Sequence, residues 1–150
     1  MSDSEFVAAD HLPLTWRALL ASASEARQRA YASYSRYSVG AAVRTATGRI
    51  FAGCNVENAS TGLTVCAERV AVWNAVSQGE RAFNALVVVT EDGAPPCGAC
   101  RQVLNEFASD MPVLIADTAG HAWITSLKAL LPEPFPRVSL HTKLGIDTTQ

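Results

Sequence analysis

Three cysteines and one glutamate, divided between two distant stretches, leave this chain few ways to fold. The stretches are Cys66-Ala67-Glu68-Arg69 and Pro96-Cys97-Gly98-Ala99-Cys100. Each reads as the start of a helix. Val70 and Trp73 follow Cys66 at helical spacing, and Val103, Leu104 and Phe107 follow Cys100 in the same way. Pro95-Pro96 suits the end of a loop and the opening of the second helix, because the first helical turn tolerates proline. A fold in which the two helix starts meet brings three thiols and a carboxylate to one point. Three protein ligands beside a free carboxylate is the layout of a catalytic zinc site whose fourth position is left for water.

The residue types suit such a site. A thiol ligates metal only as thiolate, and the partial positive charge and unpaired N–H groups of a helix N-terminus lower its pKa. Glu68 lies in the same first turn as Cys66, so its side chain can reach the open position without being a ligand. Zinc deaminases share this plan: a His/Cys/Cys or three-cysteine zinc, a proline before the cysteine pair and a non-ligand glutamate. Three thiolates on Zn²⁺ leave a net negative charge, which weakens the metal as a Lewis acid. The helix N-termini offset part of this, and Arg69 would offset more by donating to a ligand sulfur. Two plainer readings compete: Arg69 as a solvent-facing helix residue, and Cys97 with Cys100 as a redox pair, which leaves Cys66 and Glu68 without a role.

Elsewhere the patterning alternates strands with helices. Residues 1–13 read as a loose tail. Thr15 is a fair N-cap for an amphipathic helix ending near residue 32, with Trp16, Leu19, Leu20, Ala23, Arg27 and Ala30 at spacings of three and four. Residues 39–44 and 49–54 read as a hairpin around Thr47-Gly48. The helix from Cys66 is expected to end near 76, before a stop at Gly79. The apolar, β-branched run over 85–90 reads as a strand covered on both faces. A second metal helix to about 109, a buried strand over 112–116 and a short helix over 125–131 complete the pattern. The prediction is one α/β domain spanning 1–150, a three-layer α/β/α sandwich with a C-terminal tail over 138–150. The metal helices then begin at the carboxyl ends of strands, where such folds place ligands.

Composition narrows the partners. A hydrophobic fraction of 49% describes a compact protein with much buried surface. The net charge is −2 and no block of Lys or Arg appears, so no nucleic-acid partner is indicated. No apolar run is long enough to span a bilayer, and the acidic N-terminal residues lack the features of a leader. With four cysteines and no leader, a reducing cytoplasm and metal binding fit better than disulfides.

Four stretches in order also carry a resemblance: Tyr34-Ser35-Arg36-Tyr37-Ser38-Val39-Gly40-Ala41-Ala42, Asn55-Val56-Glu57-Asn58, Cys66-Ala67-Glu68-Arg69, and Pro96-Cys97-Gly98-Ala99-Cys100-Arg101-Gln102. Over residues 34–135 the chain resembles the small homotetrameric cytidine deaminases. The resemblance implies a mixed five-stranded sheet, one Zn²⁺ per subunit on Cys66, Cys97 and Cys100, and Glu68 as the catalytic proton shuttle. It implies hydrolytic deamination of a free cytosine nucleoside, in pyrimidine salvage. It places Tyr37, Asn55, Glu57, Ala67 and Phe135 at the substrate, with Asn55 and Glu57 on the ribose 3′-hydroxyl and Phe135 reaching an adjacent subunit's base. Arg69 would donate to a ligand sulfur.

The residues themselves admit plainer readings of some of these. Asn55 and Glu57, two apart at a strand end, point the same way and suit a sugar hydroxyl, but also suit a polar turn. Tyr37 stands where the family has a Phe lining the pyrimidine pocket, and its ring also serves to close the hairpin. Thr61 stands where the family usually has an aromatic, which implies a roomier pocket and keeps open a modified cytosine nucleoside or a nucleoside antibiotic as substrate. After Phe135 the match fades. A closed structural zinc site with Cys54 as fourth ligand is the non-catalytic alternative.

Overall fold

The computed structural model describes residues 7–137. Strands β2 (Gly40–Thr45) and β3 (Ile50–Cys54) form the expected hairpin, and Gly48 supplies the positive φ of 87° that its turn requires. β2 also pairs antiparallel with β4 (Phe83–Val89), which runs parallel to β5 (Pro112–Ala116). β6 (His121–Ser126) returns antiparallel to β5, and β1 (Val7–Ala8) closes that edge, giving the order β1-β6-β5-β4-β2-β3.

Alternation along the strands builds two cores. Val43, Leu86, Val88, Val113 and Ile115 face one side, under α2 (Ala67–Ser77) and α3 (Gly98–Phe107). Ala42, Ala85, Val87, Val89, Leu114 and Ala116 face the other, under α1 (Leu14–Arg27). The three-layer α/β/α sandwich is therefore present, and β4 is buried on both faces as its unbroken apolar run implied.

Five expectations need correction. The sheet has six strands, not five. Residues 121–126, whose last two read as helix, form β6, and only Leu127–Leu130 is helical (α4). The 1–13 tail is partly built in: Val7 pairs with Ala122, Ala9 N–H donates to the Gly120 carbonyl at 3.0 Å, and Leu12 is buried. Residues 1–6 and the tail over 138–150 lie outside the described residues. α1 is capped at Pro13 rather than Thr15, and it ends at Arg27 instead of near 32. Past that point Tyr31 N–H donates to the Asn55 carbonyl at 3.0 Å, which draws the chain onto the hairpin.

Two glycines set how closely the helices approach. A Cβ on Gly53 would lie 2.4 Å from the backbone nitrogen of Ala71 in α2, and one on Gly40 2.0 Å from the Ala23 carbonyl oxygen in α1. The helix that begins at Cys66 thus rests directly on β3 backbone.

Candidate active site

The two helix starts meet. Cys66 and Cys97 are the N-cap residues of α2 and α3, and Cys100 lies in the first turn of α3. The Cys66 and Cys97 sulfurs are 3.9 Å apart, those of Cys97 and Cys100 3.5 Å, and all three fall within 4.8 Å of one another. A tetrahedral zinc with Zn–S near 2.3 Å needs sulfurs about 3.8 Å apart, so the donor set fits that metal in number, chemistry and spacing. None of the three is in a disulfide. Cys54 stands apart, with its thiol toward the Arg29 carbonyl at 3.5 Å, and it is not in the cluster. A closed four-cysteine site is therefore not what the fold builds.

The cluster's electrostatics favour a cation. The Cys66 thiol is lowered to about 5, first by the hydrogen bond it accepts from Cys100 and then by the Arg69 guanidinium, whose Nη2 donates to its sulfur at 3.3 Å. Cys100 is pushed up correspondingly, because it is the donor to Cys66 and is buried. A cation among the sulfurs would take the place of those shared protons. Arg69 Nε is buried with no hydrogen-bond partner among the described residues, and it is Nη2 that the guanidinium turns to the cluster.

Beside the thiols lies a cavity of about 210 Å³. Glu68, Cys66 and Cys97 form part of its lining, with Tyr37, Val39 and Asn55 on one wall and Thr90, Ala94 and Pro95 on another. Glu68 is only 4% exposed, and burial, with a contribution from the Cys66 charge, raises its carboxyl to about 6. A carboxyl poised there can both take and return a proton near neutral pH.

The remaining expected residues sort unevenly. Tyr37 and Asn55 line the cavity. Asn55 spends both ends of its amide on the neighbouring loop, donating to the Tyr37 carbonyl at 2.8 Å and accepting from Val39 N–H at 2.9 Å. Glu57 accepts from the Ser35 hydroxyl at 2.8 Å and the Ser35 N–H at 3.1 Å, and does not itself line the cavity. Ala67 is buried at the start of α2, also off the lining. Phe135 is 66% exposed and tied to α3 by reciprocal backbone contacts with Gln102 at 3.1 and 3.2 Å, away from its own chain's cavity. Val39, Thr64, Val88, Thr90, Ala94 and Pro95 line the cavity without having been expected there. Thr90, a polar residue ending an apolar strand run, was the one readable signal among them.

Known proteins agree with this geometry. A family model described as the cytidine and deoxycytidylate deaminase zinc-binding region matches residues 15–116. The cytidine deaminase of Sporosarcina psychrophila is 45% identical over 125 residues, covering 81% of this chain and 92% of that protein. Blasticidin-S deaminase from Bacillus cereus is 34% identical over 113 residues, 69% of this chain and 80% of that one. Among solved structures, cytidine deaminase from Burkholderia pseudomallei superposes with a TM-score of 0.76 at 46% identity, covering 79% of this chain and 98% of that one. The Mycobacterium tuberculosis cytidine deaminase gives 0.71 at 40% identity, covering 83% and 99%. The cysteine cluster at two helix starts, the buried glutamate beside it and these likenesses together make the chain a member of the zinc-binding cytidine and deoxycytidylate deaminase family.

Proposed function

We propose that the protein hydrolyses cytidine and deoxycytidine to uridine and deoxyuridine with release of ammonia. The observation that carries this is Glu68, buried and held near pH 6 in the wall of a cavity it shares with Cys66 and Cys97. Cys66, Cys97 and Cys100 would hold one Zn²⁺, which when bound supplies Lewis-acid activation of water. Glu68 accepts the proton released by the attacking water, protonates the pyrimidine N3, and hands a proton to the departing amino group, so that water and cytosine balance to uracil and ammonia. Arg69 holds the Cys66 sulfur and drains charge from it.

The Tyr37 ring packs against the base. Asn55 shapes the wall, Glu57 keeps acceptor capacity for a sugar hydroxyl, and Ala67 offers backbone at the helix start. No Lys or Arg is among the cavity's lining residues, which favours a neutral nucleoside over a nucleotide. We read the chain as one domain of a homotetramer, Phe135 acting on a neighbour's site. Tyr31, Tyr34, Leu63, Trp73 and Phe135 are large side chains exposed by 49% or more, as an assembly surface would need. No helix among the described residues is long and apolar enough to cross a membrane, and four free cysteines suit the cytoplasm where we place the enzyme.

Loss of the cytosine absorbance with cytidine, and with deoxycytidine in parallel, tests the proposal. Conversion that disappears in Glu68→Gln supports it. A zinc-loaded protein that converts neither favours a second reading, a modified cytosine nucleoside. That reading draws on the exposed Thr61 at the start of a short turn leading to Thr64 of the cavity wall, and on the blasticidin-S deaminase likeness.

A further inference from the structure

We propose that the Tyr37 hydroxyl and the Asp92 carboxylate form a clamp that ties together two neighbouring walls of the cavity, the segments that lead into β2 and out of β4, making Asp92 a positioning residue for the substrate. Asp92 belongs to no motif and does not line the cavity, yet it accepts a hydrogen bond from the Tyr37 hydroxyl, 55 residues away in sequence.

Each side of this bond is separately braced. On the first wall, Arg36 adopts a φ of 59°, the one non-glycine residue in the left-handed region among those described. That conformation is costly for a side chain with a Cβ, and it persists only where the surroundings over-determine it. Here they do: Arg36 N–H donates to the Ala32 carbonyl at 2.8 Å, Tyr37 N–H to the Ser35 hydroxyl at 3.0 Å, and Asn55 holds the Tyr37 carbonyl at 2.8 Å. The backbone under the ring is thus fixed, and the hydroxyl fixes the ring's far end.

On the second wall, Thr90 is 2% exposed, donates to the same Asp92 carboxylate at 3.1 Å and accepts from Ala94 N–H at 2.7 Å. That loop continues through Ala94 and Pro95 of the cavity lining to Cys97. Gly40 pairs with Val89, so the two segments leave neighbouring strands side by side. A ring held at both ends stays in the cavity lining with its polar tip already satisfied, and the loop beside it cannot drift away without breaking the bond. Phenylalanine at 37 would supply the face without the tie.

The test uses the zinc-loaded protein with Tyr37→Phe, Asp92→Ala, the double variant, and Asp92→Asn, which keeps an acceptor. Two readouts are taken: kcat and KM for cytidine, and amide hydrogen exchange at residues 91–94. The clamp predicts faster exchange in Tyr37→Phe, and a KM raised roughly three- to ten-fold in Tyr37→Phe and Asp92→Ala with kcat altered less than about two-fold. Asp92→Asn should recover part of the KM loss, and the double variant should be no worse than the poorer single.

Unchanged exchange in Tyr37→Phe overturns the clamp whatever the kinetics show. Faster exchange with an unchanged KM, or single effects that simply add, overturns the positioning role. The KM readout rests on the proposed deaminase activity, but the exchange readout does not. A wild-type protein that fails to turn over cytidine while Tyr37→Phe loosens 91–94 therefore counts against that activity and for the clamp.

Discussion

The proton-shuttle role proposed for Glu68 asks it to be both buried and able to carry charge, and that conflict can be measured. Burial raises its carboxyl from an ordinary 4.5 to about 6, so the folded protein binds its proton more tightly than the unfolded chain does. Between those values the folded state holds the extra proton, and stability falls as pH rises through that window, the penalty being complete above it. The shift corresponds to ~2 kcal/mol at most. In zinc-free, reduced protein, Glu68→Gln is therefore expected to gain stability of that order near pH 8 and to gain almost nothing near pH 4, by urea unfolding at both. An equal gain at the two pH values would show that desolvation of the charge is not the cause. With zinc restored, the same variant should lose roughly 10²–10⁴-fold in kcat, the range for a missing proton shuttle. Arg69 makes a different expectation. It touches the sulfur of Cys66, a proposed ligand, at 3.3 Å without being a ligand itself, so Arg69→Gln should lower turnover about ten- to hundred-fold while metal analysis still finds the zinc.

The elements show which parts of this fold a sequence can declare. Helix starts at Cys66 and Cys97 and the strand Pro112–Ala116 were legible, because local chemistry and long-range packing demand the same thing there. β6 was not. His121, Trp123 and Thr125 alternate with Ala122, Ile124 and Ser126 without a clean apolar face, and the strand forms because β5 offers it an edge. β1, two residues long, depends in turn on β6. The site divides along the same line. The cysteine cluster and the glutamate beside it were readable from residue type, whereas the Asn55 and Glu57 contacts to residues 35–39 exist only once the hairpin has brought those segments together. Gly53 carries a prediction at this scale. Alanine there would push on Ala71 and on the Ala67 carbonyl, displacing the first turn of α2 that presents Cys66 and Glu68. Gly53→Ala should cost about 1–3 kcal/mol by urea unfolding and also weaken zinc retention against a chelator. Gly40→Ala presses on α1 across the sheet, so it should lose stability with a smaller effect on zinc. Equal zinc loss in both would mean that global loosening, not the seat of α2, governs the metal.

At the scale of the whole molecule the open matter is where Phe135 acts. Within its own chain it is two-thirds exposed and outside the cavity, yet its backbone is held by both ends of the Gln102 amide on the helix that carries Cys100. A large aromatic left two-thirds exposed on a braced segment makes sense if another copy of the chain covers it. Phe135→Ala should then raise KM for cytidine several-fold, since a lost aromatic contact is worth about 1 kcal/mol or more. That alone would not show in which chain the ring works, but mixing two crippled chains does. Glu68→Gln keeps Phe135 and lacks the shuttle; Phe135→Ala keeps the shuttle and lacks the ring. If the ring serves a neighbour, mixed assemblies contain sites where Glu68 of one chain meets Phe135 of another. The low-substrate activity of refolded mixtures then rises above the sum of the two parents. If the ring serves its own chain, no mixed site is whole and the activity follows the sum at every mixing ratio. Sedimentation of the same samples checks that exchange took place, so a flat mixing curve from fully mixed assemblies would return Phe135 to its own subunit.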